Sequence, residues 1–199
     1  MTKPSDEITA EEFEKLFQLN FMGVVYGTLC ALKIMQRQGY GHIINTASLG
    51  GLLPAPFQAA YVASKAAVIG MTRCLALEYH DSGIYFSHLS PANVATNIFT
   101  AETRHQLEEK GLSEEEIRKR LSALKPPSNA ISLDEALDYS LEKIAARETD
   151  IIVGDQAREL YALFCRDHAA YNELALDLGR KRRVFYDALR RGEQAEFPG

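Results

Sequence analysis

Ser48, Tyr61 and Lys65 stand 13 and 4 positions apart in NTASLGGLLPAPFQAAYVASK, putting a hydroxyl, a phenol and an amine on one short stretch. Residues four apart on a helix share a face, so Tyr61 and Lys65 project together into whatever that helix borders. A phenol with a pKa of about 10 is a weak base at neutral pH, and a neighbouring ammonium favours its ionised form. The pair therefore suits general acid and base chemistry. A hydroxyl close by, such as that of Ser48, suits hydrogen bonding to a reacting oxygen on which charge develops.

These side chains need elements to hold them. In ITAEEFEKLFQLNFMGVVYGTLCALKIMQRQG, Thr9 and Glu12 have capping-box spacing, and the apolar pattern predicts one long helix over 9–38 that ends at Gly39. GHIINTAS is a short β-branched run between glycines and predicts a buried strand leading into the small-residue loop LGGLLPAP. Gln58 to Tyr79 predicts a second long helix with Tyr61 and Lys65 near its start. IYFSHLSP and the IIV before Gly154 predict two further strands. Helices alternating with short, wholly apolar strands imply an α/β domain, a parallel sheet with helices on both faces.

Between Asn97 and Asn129 the chain turns charged and is broken by Gly111, Pro126 and Pro127, the mark of a short helical insertion. SLDEALDYSLEKIAARETD predicts a helix starting at Ser132 and Asp134, and 155–199 reads as a helical C-terminal extension with a frayed tail. One domain is the expectation for 199 residues.

In this order the residues resemble the short-chain dehydrogenase/reductase family, whose catalytic Ser is followed by Tyr-x-x-x-Lys on a helix. LNFMGVVYG is similar to the helix that carries the family's Asn, here Asn20, and SPANVATNI to its Pro-Gly-x-Val-x-Thr segment, with Ala92 where Gly is usual. The resemblance implies the C-terminal part of a Rossmann-type doubly wound sheet and hydride exchange between NAD or NADP and a small-molecule carbonyl or alcohol. It implies Asn20, Ser48, Tyr61 and Lys65 as catalytic residues, and Tyr61, Lys65, Pro91, Ala92, Val94 and Thr96 as cofactor-binding ones. It also implies a homo-oligomer, a dimer or tetramer, through the helices at 9–38 and 58–79, and a substrate-covering role for 97–129.

The family's Gly-rich TGxxxGIG turn, which seats the pyrophosphate at a helix N-terminus, is not in this sequence. Residue 1 corresponds to a point just after the family's fourth strand, so the cofactor-binding third is expected to be absent from the chain. The residue that selects NAD or NADP falls in that third. Two readings stay open: an oxidoreductase whose other part lies outside this chain, and a catalytically silent binding or oligomerisation module of the same fold. Leu49, Leu52, Leu53, Pro54 and Phe57, with the insertion from Asn97 onward, suggest a largely apolar wall for a hydrophobic substrate. The helical C-terminus resembles a subgroup acting on lipid-like or steroid-like molecules.

Composition narrows the classes. A net charge of −5 argues against a general nucleic-acid surface. Cys30, Cys74 and Cys165 are far apart in apolar settings, which predicts buried free thiols rather than a disulfide framework or a metal site. The acidic start and the lack of 18 consecutive apolar residues predict a cytoplasmic protein without a signal peptide or membrane span. RKRR at 180–183 with Arg190 and Arg191 reads as a solvated helix face.

Overall fold

The capping box forms: the Thr9 hydroxyl accepts from the Glu12 amide at 3.2 Å, and the Glu12 carboxylate accepts from the Thr9 amide at 2.9 Å. It starts α1, Ala10–Phe17. The computed structural model describes residues 2–96, 104, 107–108, 111–122 and 129–193. The helix expected over 9–38 is not continuous, because Gln18–Met22 form a π turn before α2 resumes at Gly23–Gln38. There the Gly23 amide reaches back five residues to the Gln18 carbonyl, a local widening that apolar periodicity does not register. Gly39 ends α2 in the left-handed region at φ 78°, where the missing β-carbon removes the steric cost.

Three parallel strands follow in the order β1 (Gly41–Thr46), β2 (Ile84–Pro91) and β3 (Asp150–Val153). Ile43 pairs with Phe86 and Asn45 with His88, so these four side chains point to one face of the sheet. That face is covered by α2, packed on β1, and by α3 (Ala59–Glu78), packed on both β1 and β2. Ile43, Ile84, Phe86 and Leu32 form one buried cluster there. On the opposite face the Ser87 hydroxyl donates to the Glu148 carbonyl at 2.6 Å, and the Arg147 guanidinium lies 4.1 Å from the Tyr85 ring centre.

Two compact units divide the chain, Met1–Ala92 with Tyr139–Gly199, and Asn93–Asp138. In the second, Val94 bridges Ile131, and α4 (Glu114–Ser122) starts at Ser113, whose amide and hydroxyl both donate to Glu116. Leu107 and Ile117 are buried in this unit. The stretch 97–129 overlaps it, and much of that stretch lies outside the described residues. Helix α5 (Leu133–Ala145) begins in this unit and leads to β3 in the first.

The C-terminal stretch is two helices, α6 (Asp155–Arg166) and α7 (His168–Arg190), broken at Asp167, whose carboxylate caps α7 by accepting from the Ala170 amide. Cys30, Cys74 and Cys165 are all exposed, contrary to the expectation of burial. α2 and α3, which carry Cys30 and Cys74, have apolar residues on more than one side, and the sheet covers only one. Ala10–Gln38 and Ala59–Glu78 are long and apolar enough to cross a membrane by composition; in this chain α2 and α3 pack on the sheet instead.

Candidate active site

Beyond β1 the chain turns through Ala47 to Ser48, which caps a 3-10 turn over Leu49–Gly51. The Ser48 oxygen accepts from the Gly50 amide at 3.2 Å. With one lone pair so engaged, the hydroxyl keeps its proton for a further acceptor.

Two glycines bring this turn against α3. A β-carbon on Gly51 would lie 2.7 Å from the Lys65 carbonyl carbon, and one on Gly50 would lie 3.3 Å from the Tyr61 ring and 3.6 Å from the Ser48 oxygen. The Ser48 oxygen and the Tyr61 ring therefore both border Gly50. One turn further on, Lys65 is half-buried and donates to the Thr46 carbonyl at 3.1 Å, and burial lowers its pKa. Three of the four residues singled out for catalysis thus gather at the C-terminal end of β1.

Asn20 reaches the same helix from the π turn, its amide donating to the Ser64 hydroxyl at 3.2 Å, and Ser64 donates in turn to the Tyr61 carbonyl at 2.7 Å. Pro91 ends β2, and the Ala92 amide donates to the Val153 carbonyl at 3.2 Å. Phe57 and Arg147 alone among the described non-glycine residues have positive φ, so Ala92 carries no left-handed strain in the place where the family has Gly. Val94 and Thr96 belong to the second unit, where the Thr96 amide donates to the Val94 carbonyl at 2.8 Å.

Among the described residues, Leu52 and Leu53 do not take the place expected of them in an apolar wall. Leu52 and Leu53 are buried in a core cluster with Ile152, Ala157 and Tyr171, while Phe57 stacks on Tyr186 with ring centres 5.3 Å apart. These side chains turn inward because α6 and α7 offer them apolar partners. RKRR is not uniformly solvated either: Arg182 is buried, and Lys181 pairs with Asp177 at 2.6 Å.

A buried polar chain fixes the strand that carries the site. Thr28 of α2 donates to the Asn45 amide oxygen at 3.1 Å, and the Asn45 amide donates to Thr72 of α3 at 3.0 Å. Sequence reasoning missed Asn45 and the separate roles of Gly50 and Gly51. The signals were a polar residue in an otherwise apolar strand and a paired glycine directly after Ser48.

Beneath the sheet, Asp150 accepts from Arg73 at 2.6 Å, and the fully buried His88 places Nε2 2.9 Å from its other oxygen, bent away from ideal hydrogen-bond alignment. Burial alone would raise the Asp150 pKa; His88 and Arg73 outweigh it and hold the carboxyl well below the usual carboxylate range.

The donor set fits the nicotinamide-ribose end of a dinucleotide. A hydroxyl, a phenol and a partly desolvated ammonium gather at the C-terminal ends of parallel strands, the usual ligand position in such sheets. Among the described residues, Thr46 takes one of the three N–H donors of Lys65, which leaves two for ribose hydroxyls. Groups for the pyrophosphate are not part of this set.

Residues 1–107 match the profile of the short chain dehydrogenase family. Levodione reductase of Leifsonia aquatica is 41% identical over 93 residues, which is 47% of this chain and 35% of that protein. 3beta-hydroxysteroid dehydrogenase 2 of Eggerthella lenta is 42% identical over 96 residues, 48% of this chain and 37% of that protein. The crystal structure of a variant of actinorhodin polyketide ketoreductase with NADPH superposes with a TM-score of 0.58 at 29% identity, covering 77% of this chain and 61% of that one. The match thus spans little more than a third of the two curated relatives.

Proposed function

Because this chain belongs to the short chain dehydrogenase family, we propose that it forms the reacting part of an NAD(P)-dependent oxidoreductase that interconverts a carbonyl and an alcohol. The nicotinamide, when bound, supplies or accepts the hydride. Tyr61 passes a proton to or from the substrate oxygen, and Ser48 donates its hydroxyl proton to that oxygen as charge develops. Lys65 holds the ribose hydroxyls, while Asn20 positions a water linked to Lys65 for proton relay. Pro91 and Ala92 lie on the nicotinamide side. The substrate is a hydrophobic small molecule, supported by the relatives named for levodione and for a steroid. A cytoplasmic location accompanies this reading.

The convergence of Ser48 and the Tyr61 ring on Gly50, with Lys65 one turn along α3, is the observation that carries the proposal. Its test is Tyr61→Phe in the whole protein containing this chain. Loss of general acid and base catalysis lowers kcat by about 10²–10⁴-fold, with the thermal midpoint unchanged. Wild-type turnover by that variant sinks the assignment.

A role in oligomerisation has its own support. Leu19 in the π turn is 74% exposed, Tyr26 and Ile34 on α2 are 60% and 50% exposed, and Leu77 at the end of α3 is 79% exposed. We propose that a second copy covers these helices in a homo-oligomer. Light scattering that gives a monomer mass at micromolar concentration rules this out.

A further inference from the structure

The loop that joins Ser48 to Tyr61 is held by groups from far along the chain. Tyr171 donates its hydroxyl to the Pro54 carbonyl at 2.8 Å, and Arg182 donates Nη1 to the Pro56 carbonyl at 2.7 Å. Both donors are buried side chains of α7. The next carbonyl, that of Phe57, accepts from the Lys3 amide at 2.8 Å. Phe57 itself is held at φ 66°, a conformation that a bulky side chain keeps only where its surroundings impose it. Tyr186 imposes it by stacking on the ring, and Gly179 lies against Pro56.

The start of α3 depends on this arrangement. Gln58, its N-cap, makes no side-chain capping bond, and its amide donates instead to the Thr2 hydroxyl at 3.0 Å. Tyr61 is the third residue of that helix. An uncapped first turn frays readily, so its position is set by the loop that enters it. Burial raises the Tyr171 pKa, which keeps that phenol protonated and donating.

We infer that α7 is a tether for the reactive loop, with Tyr171 and Arg182 as positioning residues that fix the approach of the Ser48 hydroxyl to the Tyr61 ring. This rests on the reading of Ser48 and Tyr61 as reacting groups. Neither Tyr171 nor Arg182 touches the reacting atoms. They act through the Pro54 and Pro56 carbonyls, and their contribution appears in kcat rather than in cofactor affinity.

The test uses the whole protein that contains this chain, with Arg182→Ala and Tyr171→Phe made separately and hydrogen exchange read at the amides of residues 50–60. Exchange there rises about ten-fold in either variant, the effect of one lost hydrogen bond. The protection of α2 stays as in the wild type. Turnover falls by about ten-fold with cofactor KM unchanged, as expected when a small misplacement reaches the chemistry. Millimolar guanidinium restores part of both losses in Arg182→Ala and none in Tyr171→Phe, a response that a general weakening of the fold does not give. Tyr171→Phe removes a single oxygen and keeps the test available if Arg182→Ala does not fold. Wild-type exchange in both variants overturns the tether, and raised exchange with unchanged kcat overturns the positioning role. If Tyr61→Phe turns over like the wild type, the chemical reading fails and the positioning role with it, while the exchange data still decide whether α7 tethers the loop.

Discussion

Gly51 lies so close to Lys65 that a β-carbon on it would stand 2.7 Å from the Lys65 carbonyl carbon and 2.8 Å from its oxygen. Backbone atoms inside a helix cannot step aside as a flexible side chain can. Gly51→Ala therefore forces the loop off α3, at the cost of about 1–3 kcal/mol typical of overpacking. Differential scanning calorimetry should record a lower thermal midpoint, and turnover should fall as Ser48 and Tyr61 separate. A midpoint equal to that of the wild type would show that the loop has room the structure does not allow.

Asn45 bridges two helices from inside the sheet, accepting from Thr28 and donating to Thr72. Asn45→Ala leaves both hydroxyls with a lost partner in a buried site, which costs about 1–3 kcal/mol. Denaturant unfolding should show a lower midpoint with an unchanged slope. A double variant, Asn45→Ala with Thr72→Val, should lose less than the sum of the single changes because the two share one bond.

Asp150 links folding to pH. Its pKa in the folded chain lies below the unfolded value of about 3.9. Its contribution is therefore present above that value and is lost as pH falls through the lower, folded one. The side chains of Arg73 and Asp150 are 38% and 40% exposed, so solvent screening reduces the contribution to about 1–2 kcal/mol, below that of a fully buried pair. Asp150→Asn should lower stability at pH 7 by this amount, and the gap to the wild type should begin to narrow below a pH of about 4 and close only as pH falls through the folded pKa. A gap that stays constant as pH falls below that value contradicts the assignment.

Lys65 shifts the opposite limb. Burial lowers its folded pKa, so the folded chain holds this proton less tightly than the unfolded chain, whose lysine titrates near about 10.4. The penalty is complete below the folded pKa and disappears as pH rises from there to the unfolded value, so this group makes stability increase with pH in that window. Urea midpoints of the wild type and of Lys65→Met, compared from neutral to alkaline pH, isolate the effect. The wild type should gain on the variant through the window, and parallel curves would contradict this.

Much of the scaffold was legible from local pattern. IYFSHLSP is the second strand residue for residue, and α3 at Ala59–Glu78 departs from the expected 58–79 by one position at each end. Hydrophobic period and turn residues are local properties, so they can be read without knowing what packs where. The π turn at Gln18–Met22 was not legible, since one extra residue in a helical ladder leaves the apolar stripe almost unchanged. Leu52 and Leu53 misled for a related reason: an apolar residue beside reactive ones can line a cleft or enter the core, and the choice belongs to its partners on α6 and α7.

By itself the sequence determined the alternation of strands and helices, the chemical identity of Ser48, Tyr61 and Lys65, and the sharing of one helix face by the last two. Short-range geometry dictates each of these. Only the tertiary structure decided that two glycines press the Ser48 turn onto α3, that Asn45 locks β1 between α2 and α3, and that Arg182 turns inward rather than to solvent. The bond from Arg182 to the Pro56 carbonyl joins positions 126 residues apart. Its donor and its acceptor become a pair when the chain closes around the core, because burying both polar groups is tolerated once each satisfies the other.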